Sequence, residues 1–154
     1  MEILPSTDHS LLAALNEEAQ TLHHKLYPQL FKPYNKTEAS EFFKKTLGDK
    51  DAKAFVVFEN GQALGYIFLF IKVIPENTFI HAKHFILLDQ VSVLEKHRGR
   101  GIGKLLIDHA ISFARSLHLN RIELNHWSLN EPARNFFNKC GFEYFNEKMA
   151  MDLE

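Results

Sequence analysis

The chain has 154 residues, of which 45% are hydrophobic, and its formal net charge at pH 7 is −1. This length and apolar content suit a single domain, residues 1–154, that buries a core without cross-links, and the single cysteine excludes an internal disulfide framework. The near-zero charge gives no overall attraction to nucleic acid or to an anionic membrane, so we expect neither as a partner.

The first fifty residues predict two helices. Ile3-Leu4 alone is too short to establish a strand, but residues 5–8 form a turn with several capping side chains, and leucines at helical spacing follow until Pro28. Thr37 is the expected cap of a second helix that ends near residue 47. The side chains expected to be buried on that helix are Phe42, Phe43 and Leu47.

A β-hairpin is predicted next in the chain. Residues 54–58 and 62–74 flank Asn60-Gly61, and both of these residues tolerate the positive φ angles of a type I′ turn. Residues 85–94 predict a further strand. The apolar stretch 66–74 contains Lys72 and is far shorter than the roughly 20 residues of a membrane helix, so no membrane segment is expected.

The most informative segment is residues 97–106, which follow a predicted strand and lead into the helical pattern of residues 102–117. Glycine lets backbone N–H groups approach an anion, and the helix N-terminus adds free donors and the positive end of its dipole. The glycines stand at alternate positions: Gly99, Gly101 and Gly103. Arg98, Arg100 and Lys104 add positive charge. The segment therefore predicts a pyrophosphate-binding loop.

Two other phosphate-binding motifs fit this segment poorly. If Gly103-Lys104 were the GK pair of a Walker loop, Arg98 would replace its first glycine and Leu105 its magnesium-binding hydroxyl. A dinucleotide fingerprint that started at Gly99 would need a glycine in place of Lys104, and it normally follows the first strand of a domain. A nucleotide triphosphatase and a dinucleotide-binding domain are therefore both disfavoured.

The last third of the chain predicts a strand at residues 121–127, a short helix at 132–139 and a final strand at 143–153. The resulting order is β-α-α-β-β-β-α-β-α-β. This order indicates an α/β (α+β) fold with a mixed, mostly antiparallel sheet and helices on both faces.

Two segments carry a resemblance to a known family. Arg98, Gly101 and Gly103 fit the pattern Arg-x-x-Gly-x-Gly, and residues 130–142 are similar to Asn-x-x-Ala-x-x-Phe-Tyr-x-x-x-Gly-Phe, with Phe137 in place of the tyrosine. On these residues the chain resembles the GNAT superfamily of N-acetyltransferases. The resemblance is strong from about residue 54 to residue 153 and vague over the first fifty residues.

The resemblance implies acetyl-CoA as the cosubstrate. In that family the glycine-rich loop holds the pyrophosphate, and the strands on either side of the long helix separate into a slot whose free backbone edge binds pantetheine. The residues implied as cofactor contacts are Val91, Ser92, Val93, Arg98, Gly99, Arg100, Gly101, Ile102, Gly103, Lys104, Asn130 and Phe137.

The resemblance also suggests catalytic residues. Asp89, an acid on an otherwise apolar strand, is the candidate base that takes a proton from the acceptor amine, and the alternative is a purely structural carboxylate. Glu123 and His126 are candidate secondary proton carriers. Phe137 cannot protonate the leaving sulfur as the family's tyrosine does. Cys140 is expected to be a packing residue and not a nucleophile.

These observations predict an N-acetyltransferase that acetylates a small-molecule amine, such as a polyamine, an amino acid derivative or an antibiotic, by direct transfer. A protein N-acetyltransferase and a non-catalytic acyl-CoA-binding or sensor module stay open as alternatives. No metal is expected, because the nine histidines accompany one cysteine and no carboxylate at ligand spacing. The first thirty residues lack a signal-peptide pattern, so the cytoplasm is the expected location. The oligomeric state stays open, and the resemblance implies a homodimer as one option, since members of that family often dimerise.

Overall fold

The computed structural model describes residues 1–153. The strands are β1 (Glu2–Pro5), β2 (Ala52–Glu59), β3 (Gln62–Ile74), β4 (Lys83–Val93) and β5 (Ile122–Leu124). The helices are α1 (His9–Leu26), α2 (Lys36–Thr46), α3 (Ile102–Ser116) and α4 (Glu131–Lys139), with a 3₁₀ turn at Glu95–His97. None of the helices within the described residues combines the length and apolarity that crossing a membrane requires.

The five strands form one sheet in the order β1-β2-β3-β4-β5. Neighbouring strands are antiparallel except β4 and β5, which run parallel because α3 connects them as a crossover. Asn60 and Gly61 turn the β2–β3 hairpin with φ angles of 50° and 77°, as their sequence predicts. The predicted fold class is confirmed, and the predicted element order agrees from β1 through α4.

Helices cover both faces of the sheet. On one face α1 and α2 pack their buried residues Leu12 and Phe43 against Tyr66 and Phe68 of β3. On the other face the larger core combines side chains of α3 and α4 with residues of β2, β3 and β4. The strands β3 and β4 approach closely at Gly65, where an added Cβ would lie 2.5 Å from the Ser92 carbonyl oxygen.

The second helix differs from its prediction at its start and on its buried face. Asn35, not Thr37, caps α2, because its side chain accepts a hydrogen bond of 3.0 Å from the Glu38 backbone N–H. Phe43 is 1% exposed, whereas Phe42 is 46% exposed. The expectation that both phenylalanines are buried was therefore wrong for Phe42, whose ring stays exposed although its centre lies 6.4 Å from that of Phe68 on β3.

The predicted final strand at residues 143–153 is wrong, since none of these residues forms a strand. Strand β5 is also shorter than the predicted range of 121–127. The alternating apolar residues of the tail stay exposed: Met149, Met151 and Leu153. Side-chain contacts hold the tail instead, and the Phe145 ring lies 4.7 Å from the Arg121 guanidinium carbon. Apolar alternation predicts a strand only where a neighbouring strand edge supplies hydrogen bonds.

Candidate functional site

The sheet opens between β4 and β5. The two strands pair only where residues 86–88 face residues 122–124, whereas β4 continues to Val93 and pairs there with β3 alone. Within residues 1–153, no strand pairs with β4 beyond Leu88 on the β5 side. The predicted pantetheine contacts Val91, Ser92 and Val93 therefore lie on a stretch of β4 that no strand pairs with on the β5 side, although the Val93 carbonyl accepts a hydrogen bond of 3.0 Å from Arg98 Nε.

Asp89 lies at the point where the slot begins. On β3, the neighbours Leu69 and Phe68 face Leu88 and Gln90, so Asp89 is the extra residue of a β-bulge. The bulge also explains why Leu88 and Val91 contact the same core although they are three residues apart. A bulge at the end of the β4–β5 pairing redirects the strand and places an acid at the junction.

The surroundings of Asp89 favour proton uptake. The residue keeps an exposed surface, but the protein around its carboxyl group partly desolvates it and raises its pKa above the ordinary value. The Gln90 side-chain amide, which donates to Asp89 Oδ2 at 3.2 Å, and the charge of Lys72 oppose this shift without cancelling it. A carboxylate with a raised pKa is a better general base near neutral pH.

A buried polar network orients Gln90, and it was not anticipated from the sequence. Gln90 Oε1 accepts hydrogen bonds from the Tyr66 hydroxyl at 2.5 Å and from Asn16 Nδ2 at 3.2 Å. Tyr66 is fully buried, and burial raises its pKa, so its hydroxyl stays a proton donor. With its oxygen held by two donors, Gln90 presents its NH₂ group to Asp89. The sequence carried no clear signal for this network, because Asn16 stands beside two glutamates on an amphipathic helix and Gln90 stands beside Asp89.

The glycine-rich loop leaves a row of free backbone donors. Gly99 and Gly101 have φ angles of 73° and 79°, and Gly101 directly precedes α3 as its N-cap. No acceptor within residues 1–153 bonds the backbone N–H groups of residues 99–104. Consecutive free N–H groups at a helix N-terminus bind anions, and their partial positive charge adds to that of the helix dipole.

The basic side chains of the loop are less available than the sequence suggested. Each one pairs with a carboxylate: Arg98 with Glu18, Arg100 with Glu59 and Lys104 with Asp108. Arg100 Nη2 contacts both Glu59 oxygens, at 2.9 and 2.7 Å, and holds the pKa of that carboxyl below its usual range. A bound pyrophosphate would compete with these carboxylates for the cations, so the backbone N–H groups are the unoccupied donors.

Two predicted cofactor contacts also have structural roles. A Cβ at Gly103 would lie 3.0 Å from the Phe136 ring, so this glycine lets α4 pack against the first turn of α3. Asn130 caps α4 and accepts a hydrogen bond of 3.3 Å from the Ala133 backbone N–H. These structural roles alone explain why a glycine stands at position 103 and an asparagine at position 130.

Phe137 and Cys140 lie in or beside the main core. Phe137 is 8% exposed and packs against Phe136 and Phe142 at ring-centre distances of 5.3 and 5.8 Å. Only a small part of its ring is therefore available to a cofactor. Burial raises the pKa of the half-buried Cys140 thiol, which lowers the thiolate fraction and agrees with a packing role.

Glu123 and His126 make no hydrogen bond to Asp89 within residues 1–153, although Glu123 pairs with Leu87, two residues before Asp89, across β4 and β5. They line a cleft of about 550 Å³ along the outer edge of β5, and no residue of β4 is in its lining. Burial favours a higher pKa for Glu123, but hydrogen bonds from Arg121 at 2.6 Å and Lys83 at 3.0 Å hold it below the usual range. Glu123 is thus a weak proton acceptor, and its carboxylate is held by Lys83 and Arg121.

Comparison with known proteins gives one family and several related structures. The family model described as the acetyltransferase (GNAT) family matches residues 16–142. Streptothricin acetyltransferase from Streptomyces lavendulae is 33% identical over 57 residues, which make up 37% of this chain and 30% of that protein. The chain therefore covers less than a third of the length of this relative.

Two solved structures share the fold at low sequence identity. The tetramutant of the BH1408 protein from Bacillus halodurans has a TM-score of 0.92 at 22% identity, over 99% of this chain and 100% of that one. An aminoglycoside 6'-N-acetyltransferase from Acinetobacter haemolyticus has a TM-score of 0.75 at 17% identity, over 100% of this chain and 99% of that one. Identities this low show the fold alone.

Proposed function

This chain belongs to the acetyltransferase (GNAT) family, and we propose that it transfers the acetyl group of acetyl-CoA to the amine of a small molecule by direct attack. One observation carries the proposal. The sheet opens between β4 and β5 at the bulged Asp89, and the free edge of β4 leads from there toward the free N–H groups of residues 99–104. A candidate base and an anion site thus lie at the two ends of one exposed strand edge.

The residues present fit acetyl-CoA. The free N–H groups of residues 99–104 suit a pyrophosphate, and the left-handed Gly101 directly before α3 exposes them. The unpaired backbone edge at residues 91–93 suits the amide groups of a pantetheine arm, in the manner of an added strand. Acetyl-CoA supplies an acetyl group activated as a thioester, and the chain supplies its position and a proton acceptor.

Asp89 takes the proton that the acceptor amine must lose. A lysine-like amine is neutral in only about one molecule in 2,500 at pH 7, so proton removal is a substantial part of the barrier. The amine nitrogen then forms its bond to the acetyl carbon, the electron pair of the broken C–S bond leaves with the sulfur, and the second proton of the attacking nitrogen passes to the departing thiolate or to solvent. Because a thiol has a pKa near 8.5, departure as thiolate forfeits only about 2 kcal/mol at pH 7, which makes the absence of a tyrosine at Phe137 tolerable.

The test is an acetyl-CoA turnover assay with a panel of small amines, in which free thiol is measured continuously and the product by mass spectrometry. We expect thiol release that requires an amine and equals the acetylated amine formed. Binding of acetyl-CoA without amine-dependent thiol release would instead identify a sensor module. Thiol release that occurs only with peptide amino groups as acceptors would identify a protein N-acetyltransferase.

A further inference from the structure

A second cleft lies on the α1–α2 face of the sheet, beside the slot. Its volume is about 320 Å³, and Gln90 of β4 is part of its lining. Its apolar wall consists of Leu30, Phe31, Pro33, Tyr34, Phe42 and Phe43. Leu30 and Phe42 are 62% and 46% exposed, so large apolar side chains face open space here.

Hydrogen bonds fix this wall in place. The Tyr34 hydroxyl donates to a main-chain carbonyl of α1 at 2.8 Å, and Gln20 Nε2 donates to the Lys32 carbonyl, also at 2.8 Å. The Phe31 ring packs edge-on against Trp127, which follows β5, with 4.8 Å between the ring centres. The connection between α1 and α2 is therefore held by contacts with α1 and with the segment that follows β5.

The charges of the cleft suit a ligand with a single positive charge. The charged residues of its lining are Lys32 and Glu38, which have opposite signs, and the negative charge of Glu17 lies near enough to add to burial in raising the pKa of Tyr34. The oxygen of Gln90 is already occupied by donors from Asn16 and Tyr66. A polycation would leave several of its charges without partners next to an apolar wall, and burying an unpaired charge is costly.

From this arrangement we propose that the acceptor is a monoamine with an aromatic or alkyl body, and that the body occupies this cleft. Asp89 is outside the cleft lining, but Gln90 is part of it and donates to Asp89 at 3.2 Å, so the Gln90 end of the cleft lies one side chain from the candidate base. Apolar burial then supplies the binding energy, and Asp89 supplies the single charge partner. The inference rests on the proposed acetyl transfer and narrows its substrate class.

The test compares acceptors of different charge in the thiol-release assay with the full chain and saturating acetyl-CoA. The monoamines are phenethylamine and hexylamine, and the polycations are spermidine and kanamycin. We expect kcat/KM for phenethylamine to exceed the values for both polycations by at least about tenfold.

Two variants distinguish the loss of contacts in this cleft from a general effect of removing an aromatic side chain. Phe42→Ala is expected to raise KM for phenethylamine by roughly tenfold through lost apolar contact, with little change in acetyl-CoA affinity. Phe79→Ala is the matched control, because Phe79 is 93% exposed and lies outside the cleft lining. We expect this control to leave KM unchanged.

Preference for spermidine or kanamycin, or equal KM values for the Phe42 and Phe79 variants, would overturn the inference while leaving acetyl transfer in place. Absence of amine-dependent thiol release with every acceptor would overturn both the inference and the proposed function. Higher kcat/KM for the monoamines together with a KM increase confined to Phe42→Ala would support the inference.

Discussion

Replacing Asp89 with asparagine is expected to lower turnover at pH 7 by roughly 10²-fold or more, which is the usual contribution of a general base. Asparagine preserves the shape of the side chain and can still accept the hydrogen bond from Gln90, but it cannot take a proton. Affinity for acetyl-CoA is expected to change little, because Asp89 precedes the free strand edge. Steady-state kinetics and calorimetry measure the two effects separately.

The pH dependence gives a second signature of Asp89. The base must be ionised to act, and desolvation raises its pKa, so the wild-type rate is expected to fall as the pH drops through that raised value. The turnover rate of Asp89→Asn is not expected to show this fall at acid pH. It is expected to recover partly at high pH, where a larger fraction of the amine is already neutral. Asp152→Asn, in the exposed tail, is the control. Near-wild-type turnover of Asp89→Asn from about pH 6 to 9 would make Asp89 structural and His126 the next candidate.

Gly101→Asp is expected to weaken acetyl-CoA binding by about 10- to 100-fold. The change puts a negative charge at the N-terminus of α3, among the free N–H groups, and charge-assisted hydrogen bonds there are worth about 1.5–3 kcal/mol. No atom lies within 4 Å of a Cβ built at Gly101, so the side chain has room. The φ angle of 79° is one that asparagine and aspartate tolerate better than other residues.

Gly101→Asn is therefore the matched control, because it has the same shape and differs from the aspartate variant by one charge. We expect it to bind acetyl-CoA with a smaller loss, and we expect the gap between the two variants to narrow as salt is added. Calorimetry measures the affinities, and far-UV circular dichroism checks the fold. Equal affinity of the two folded variants would mean that no phosphate lies near residue 101.

Features that depend on a few neighbouring residues could be predicted from the sequence. The Asn60-Gly61 turn and the left-handed glycines before α3 follow from backbone preferences that no distant contact needs to enforce. Asp8 caps α1 within the predicted turn, and its side chain accepts a hydrogen bond of 2.9 Å from the Leu11 backbone N–H. The glycine-rich loop at residues 99–103 was recognisable for the same reason.

Features that depend on strand pairing could not be predicted. Asp89 is a bulge residue only because β3 pairs with β4 in one particular register, which a single strand does not encode. Arg98 pairs with Glu18, which is 80 positions away in the chain. The residues next to Arg98 therefore could not show that a carboxylate partly neutralises its charge. The predicted final strand failed for a related reason, since side-chain contacts and not a hydrogen-bonded edge hold the tail.

Amide chemical-shift mapping with acetyl-CoA tests the placement of the cofactor most directly. Titration into the ¹⁵N-labelled chain is expected to shift the backbone amides of residues 91–93 and 99–104 most strongly, because these carry the free edge and the free donors. The amides of β1, which lies at the opposite edge of the sheet and three strands from β4, are expected to stay near their starting positions. Dominant shifts around Glu123, His126 and the tail, with residues 99–104 unchanged, would place the cofactor in the outer cleft and contradict this account.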